Sequence, residues 1–332
     1  MGAAFRIAIN WKASGGRRRA SLADRRWSLA GLDPAIDVRT GTATATDGAT
    51  IPYRLWPSDG ETRALVLLLH GAFDYSGAFD EVAPLLARRG FTAIAYDQRG
   101  FGGTVSRGRW RGKDRMVRDV ADMAGFVRAR YGDLLPLFII GESMGAGVAA
   151  LAAARFPALN LGGVVLAAPG ALAGTVRRTL VAALLRAVRW LVPEGGLMCE
   201  RISGRDLTAP AAIRLLMDPM ILRMVRPNMM FGLAGLAQCA VDQAHDVHAP
   251  TLTMAGSNDD VVRIGCIRQL YCRFAGPKEW VTFEGAPHLL LHWQHADRVV
   301  AHAIAWMETR IPRATDDADN AQMRELMAVA AR

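Results

Sequence analysis

The chain has 332 residues, 51% of them hydrophobic and 21% charged, with 40 basic side chains against 31 acidic ones for a formal charge of +9. That composition excludes a disordered chain, and the length supplies a large core without disulfides or a structural metal. Cys199, Cys239, Cys266 and Cys272 form no C-x-x-C pair and have no histidine at zinc-finger spacing, which excludes a zinc ribbon or a thioredoxin-type site and fits unpaired thiols in a reducing, cytoplasmic compartment.

Residues 1–40 carry eight basic side chains against three acidic ones, five of the nine net charges. A basic arm suits an anionic surface. It is read here as a solvated leader, because no aromatic-and-basic repeat or nucleic-acid module accompanies it, and no nucleic-acid partner is expected. No apolar segment of signal-peptide form follows its arginine cluster, and no run of eighteen apolar residues occurs anywhere.

Residues 36–45 and 50–56 alternate loosely, with Asp47-Gly48 as a hairpin-type turn between them. Short apolar runs then alternate with helical patterns. Strands are expected over 64–69, 91–96, 135–140 and 161–167, and helices over 78–89, 113–131 and 144–156. From about 170 to 245 no good strand is visible. The region is helical in pattern and holds Met198, Met217, Met220, Met224, Met229 and Met230. The rhythm resumes with strands over 249–255 and 279–283 and helices over 262–274 and 297–309. Continuous apolar strands alternating with helices mean an α/β fold, a mostly parallel central sheet covered on both faces. The expected organisation is a leader (1–40), a core (41–170 and 246–311), a helical cap inserted at 171–245, and a tail (312–332).

Gly141-Glu142-Ser143-Met144-Gly145 lies between an expected strand and an expected helix. A turn this sharp leaves no room for side chains two residues either side of the serine, and it pushes the serine hydroxyl out of the sheet. The helix that follows aims its N-terminal N–H groups at the same place. A serine hydroxyl needs a base and an acid that orients the base. Both should follow later strands, at the strand ends where the serine stands. Gly256-Ser257-Asn258-Asp259-Asp260 follows one such strand and Glu284-Gly285-Ala286-Pro287-His288 another. The candidates are Ser143 as nucleophile, Asp259 in preference to Asp260 as acid, and His288 in preference to His292 as base. An oxyanion hole requires two backbone N–H groups. One is expected from Met144, and the other from Ala72, with Phe73 as the alternative, in the loop that opens His70-Gly71.

These segments resemble the serine-nucleophile α/β-hydrolase superfamily, and within it the monoacylglycerol lipase and lysophospholipase-like group. The resemblance is carried by Leu67 to Ala72, Tyr96 to Thr104, Gly141 to Gly145, Gly256 to Asp259 and Gly285 to His288, and extends over about residues 45 to 310. In the insertion, Thr208 to Pro219 and Phe231 to Leu233 resemble the cap of bacterial members. The residue before the serine is often His in this group and is Glu142 here; a structural hydrogen bond is the preferred explanation, ahead of a bias against anionic substrates. Ala146 stands where a further glycine is common.

The resemblance implies an α/β-hydrolase fold and hydrolysis of an acyl ester, such as a monoacylglycerol or lysophospholipid, through an acyl-enzyme on Ser143, with no metal or organic cofactor. Other serine chemistry on the same scaffold, or a non-catalytic binding protein, are the alternatives. A pattern over 175–191, with Leu180, Val181, Leu184, Val188 and Leu191 on one face and Arg178, Arg186 and Arg189 on another, fits first an ordinary surface helix that buries its apolar side on the core, and as the alternative a cap that touches an anionic membrane peripherally at its inner surface.

Overall fold

A computed structural model of the chain describes residues 37–171, 197–198 and 206–312. The strands are β1 (Arg39–Thr44), β2 (Thr50–Trp56), β3 (Ala64–Leu69), β4 (Phe91–Tyr96), β5 (Leu137–Glu142), β6 (Leu161–Ala167), β7 (Leu197–Met198), β8 (Met224–Val225), β9 (Thr251–Gly256) and β10 (Lys278–Phe283). The helices are α1 (Ala83–Ala87), α2 (Lys113–Tyr131), α3 (Met144–Arg155), α4 (Ala209–Met217), α5 (Pro227–Asp242), α6 (Ile264–Arg273) and α7 (Ala296–Glu308).

β3 shows why the apolar runs become central strands. All six of its residues are buried. Leu65, Leu67 and Leu69 enter one core, and Ala64, Val66 and Leu68 the other. That is the period of two expected of a strand covered on both faces, and each buried leucine stabilises the fold by about 1.5–3 kcal/mol. The first core packs α2, α3 and α5 through Met116, Val120, Val148 and Leu236; the second packs α1 and α7 through Leu86, Val299, Val300 and Met307.

The eight-stranded sheet runs β1-β2-β4-β3-β5-β6-β9-β10. β1 and β2 pair antiparallel, as do β2 and β4, and every later pair is parallel. The C-terminal ends of β3, β5, β9 and β10 therefore share one edge, and the loops leaving them can meet.

Several boundaries differ from the sequence reading for local reasons. The single helix expected over 78–89 is a 3-10 turn at Ser76–Phe79 followed by the short α1. Pro84, with no N–H to donate, suits the first turn of a new helix rather than the interior of a long one. β5 begins two residues later than expected, after Pro136, and continues to Glu142, which pairs with Ala167. In the insertion, β7 and β8 pair antiparallel through Leu197–Val225 and Met198–Met224. This corrects the expectation that the region contains no strand; two-residue strands are too short to leave a pattern of period two. α4 and α5 fall inside the insertion. The helical pattern at 175–191 lies outside the described residues, as do 1–36 and 313–332.

Candidate active site

The junction of β5 and α3 is built around two close approaches. A Cβ on Gly141 would lie 2.4 Å from the carbonyl oxygen of Gly145, and a Cβ on Gly145 would lie 2.1 Å from the carbonyl oxygen of Leu69. Only glycine lets the chain turn here. Between them Ser143 has φ 52° and ψ −111°, a strained conformation for an L residue. It is held by its N–H donating to the Ala167 carbonyl at 2.9 Å and by its carbonyl accepting from Gly170 at 3.0 Å and Gly147 at 3.3 Å.

Ser143, His288 and Asp259 come together although 145 residues separate the first two. Ser143 Oγ lies 2.9 Å from His288 Nε2, and His288 Nδ1 lies 2.8 Å from Asp259 Oδ2. Both the imidazole and the carboxylate are almost wholly buried. Asp259 Oδ1 accepts the backbone N–H groups of Val261 at 2.9 Å and Val262 at 2.7 Å. The carboxylate is thereby aimed by its own loop, and it takes the proton on Nδ1 as a hydrogen bond. That leaves the Nε2 lone pair for the serine hydroxyl. Asp260 is exposed. His292, the alternative base, is buried with its Nε2 3.3 Å from Glu142 Oε2.

The loop after β3 runs beside the Ser143 turn, since Leu69 pairs with Gly141. Met144 is the first residue of α3, where an N–H group has no acceptor within the helix. Ala72 follows Gly71, whose Cα would carry a Cβ 3.6 Å from that of Ser143, and Phe73 has φ 72°. His70 is structural. Its Nδ1 donates to the Gly71 carbonyl at 2.8 Å and its Nε2 accepts the Gln98 backbone N–H at 3.0 Å. Burial holds its pKa below the usual histidine value, with the Gly71 hydrogen bond opposing.

The Tyr96 to Thr104 segment, prominent in the sequence, serves as scaffolding. Gln98 Nε2 donates to the His70 carbonyl at 2.7 Å. Asp97 accepts the Ser76 N–H at 2.8 Å and the Gly103 N–H at 2.7 Å. Arg99 pairs with buried Asp119 at 2.7 Å and with Asp47 at 2.6 Å. The Arg99 guanidinium, ahead of the opposing effect of partial burial, lowers the Asp47 carboxyl to about 2.

Glu142 makes the structural hydrogen bond preferred for it: its Oε1 accepts the Leu291 N–H at 2.8 Å. Sequence reasoning missed the residues that tie the insertion to the loop after β3, namely Asp74, Tyr75, Arg214 and Asp218. Asp74, Arg214 and Asp218 are charged and Tyr75 is not, and no local pattern pairs residues about 140 positions apart. Among the described residues, no cluster of three or more histidine, cysteine, aspartate or glutamate side chains could hold a metal ion, and no helix is long and apolar enough to cross a membrane.

A mostly parallel sheet that presents a strained serine after β5, with an acid and a histidine delivered after β9 and β10, has the form of a serine-type α/β-hydrolase. A family model described as serine aminopeptidase, S33, matches residues 60–293, and the chain belongs to that family. It is 26% identical over 276 residues to a monoacylglycerol lipase of Mycolicibacterium smegmatis, covering 80% of this chain and 95% of that one. It is 32% identical over 152 residues to a monoglyceride lipase of Homo sapiens, covering 44% and 48%. In fold it matches a soluble variant of monoglyceride lipase from Saccharomyces cerevisiae in complex with a substrate analog, with TM-score 0.70 and 17% identity over 85% of this chain and 98% of that one. It also matches a thermostable carboxyl esterase from Bacillus coagulans, with TM-score 0.68 and 18% identity over 83% and 99%.

Proposed function

We propose that the protein is a carboxylic-ester hydrolase that cleaves acyl esters, of the monoacylglycerol or lysophospholipid kind, through an acyl-enzyme on Ser143. The observation that carries the reading is the continuous Ser143–His288–Asp259 hydrogen-bond chain, at 2.9 and 2.8 Å. Ser143 Oγ forms a bond to the ester carbonyl carbon as its proton passes to His288 Nε2. Asp259 holds the imidazole in the required tautomer and stabilises the imidazolium. The carbonyl oxygen becomes an oxyanion facing the N–H groups of Ala72 and Met144. Collapse breaks the bond to the leaving alkoxide, which takes the proton from His288, and water then hydrolyses the acyl-serine by the same relay. The lipase names of the relatives favour an acyl glycerol over a peptide, despite the peptidase description of the family.

The 171–245 insertion acts in this reading as the cap that shapes the acyl pocket, with Met217 and Met224 exposed on it. Peripheral contact with an anionic membrane belongs to the same reading, and flotation with anionic liposomes at low salt tests it. The test of the activity is turnover across monoacylglycerols, lysophospholipids, short p-nitrophenyl esters and aminoacyl amides. Hydrolysis of long acyl esters, lost in Ser143→Ala, is expected. Cleavage of the amides alone would overturn the reading in favour of a peptidase, and short-ester preference would remove the lipid part of it.

A further inference from the structure

Three consecutive residues of the loop after β3 are each gripped by the insertion. The Leu222 N–H donates to the Phe73 carbonyl at 2.8 Å. Arg214, on α4, donates to Asp74 in an ion pair. The Tyr75 hydroxyl donates to Asp218 Oδ2 at 2.6 Å. These contacts join a short segment of the core to residues 214–222 of the insertion.

The character of the contacts argues for placement rather than for stability alone. Asp74 and Tyr75 are buried and Arg214 is only 14% exposed. A guanidinium taken out of water is a poor stabiliser compared with an apolar side chain of the same size, and its most defensible use is to fix geometry. Among the described residues Arg214 Nη2 is buried with no hydrogen-bond partner, so the guanidinium is held chiefly through Asp74. Phe73 has φ 72°, a backbone conformation that an L side chain keeps only when its surroundings enforce it. Two guanidinium groups also face the Tyr75 ring, Arg54 at 5.7 Å and Arg214 at 6.0 Å from its centroid.

We propose that Arg214, Asp218 and the Leu222 backbone are positioning elements for the oxyanion hole. By clasping Phe73, Asp74 and Tyr75 they set the direction of the Ala72 N–H immediately before them. The insertion then contributes to the chemical step itself, in addition to any contact with the acyl chain, and a substrate too small to reach it depends on the clasp as well. This rests on the reading of Ser143 as nucleophile and Ala72 as oxyanion donor.

The test uses the full chain and p-nitrophenyl acetate, whose acyl group is two carbons long. Tyr75→Phe and Asp218→Ala each remove one side of the 2.6 Å contact, and Arg214→Lys keeps the charge while losing the fork. A misaimed donor is a weaker lesion than a deleted one, so kcat should fall about tenfold with KM within about twofold. The affinity of an alkyl trifluoromethyl ketone, whose serine adduct carries an oxyanion, should fall in parallel with kcat/KM. The Tyr75→Phe/Asp218→Ala double variant should be little worse than the worse single one. Thermal melts and circular dichroism establish that the variants are folded. Folded Tyr75→Phe and Asp218→Ala chains with kcat and ketone affinity within twofold of the parent, or with KM alone raised, would overturn the clasp while Ser143-dependent turnover of the parent left the ester-hydrolase reading standing. Turnover of the parent that survives Ser143→Ala would overturn that reading, and the clasp with it.

Discussion

The carboxylate of Glu142 accepts the backbone N–H of Leu291 at 2.8 Å, joining the strand that enters the Ser143 turn to the segment that follows His288. Its second oxygen faces His292 Nε2 at 3.3 Å, and both side chains are 2% exposed. The Ser143–His288 distance is therefore braced from behind by a second buried acid–imidazole pair.

Substituting Glu142 by glutamine keeps an acceptor for Leu291 and leaves an amide that can donate to His292. Substituting it by leucine strands a buried N–H and a buried imidazole. An unsatisfied buried group costs about 1–3 kcal/mol. Glu142→Leu should therefore lose at least that much in urea-unfolding free energy and most of its esterase kcat, while Glu142→Gln stays within about 1 kcal/mol of the parent. Equal stability for the two variants would show that the carboxylate braces nothing.

Ser143→Ala should lower kcat at least about a thousandfold, and Asp259→Asn should do the same by presenting the wrong tautomer of His288 to the serine. Asp260 is exposed, so Asp260→Asn should stay within about twofold of the parent. Steady-state kinetics on one soluble ester separates the two acids, and a large loss at Asp260 would contradict the arrangement.

His70 is buried and uses both ring nitrogens as a neutral imidazole, and burial lowers its pKa below 6.5. The folded state resists the proton that the unfolded state accepts. The stability His70 contributes is thus full above the unfolded pKa, near 6.5, and is lost as pH falls toward the folded value, with a slope approaching about 1.4 kcal/mol per pH unit for one proton. His70→Asn should be less stable than the parent at pH 8 and should show a shallower loss between pH 7 and pH 5. Chemical denaturation across that range reads the difference, and parallel pH profiles would exclude His70 as the source.

Two glycines within helices should respond to alanine with opposite signs. Alanine is favoured over glycine in a helix by about 1 kcal/mol. At Gly125, in α2, the added methyl meets nothing within 4 Å, so Gly125→Ala should stabilise by about 0.5–1 kcal/mol. At Gly145, in the first turn of α3, it would sit 2.1 Å from the Leu69 carbonyl oxygen. Backbone on both sides must then move, and a loss of about 2–4 kcal/mol should outweigh the helix propensity. Thermal unfolding of both variants checks the pair.

The sequence by itself determined the layered architecture, because apolar runs such as Ala64–Leu69 can be buried on both faces only in a sheet covered on both sides. It also placed Ser143, Asp259 and His288 just after strands, since Gly141 and Gly145 mark a forbidden close approach and the other two follow the strand patterns over 249–255 and 279–283. These signals are local in the chain. What only the tertiary structure decided is which distant groups meet. The short separation of Ser143 and His288, the orientation of the Asp259 carboxylate by Val261 and Val262, the brace between Glu142 and Leu291, and the grip of Arg214 and Asp218 on Asp74 and Tyr75 all depend on strand order and on how the insertion folds back. A charged residue such as Arg214 has the same local pattern whether it faces water or a buried carboxylate. Only the three-dimensional path of the chain makes it one rather than the other.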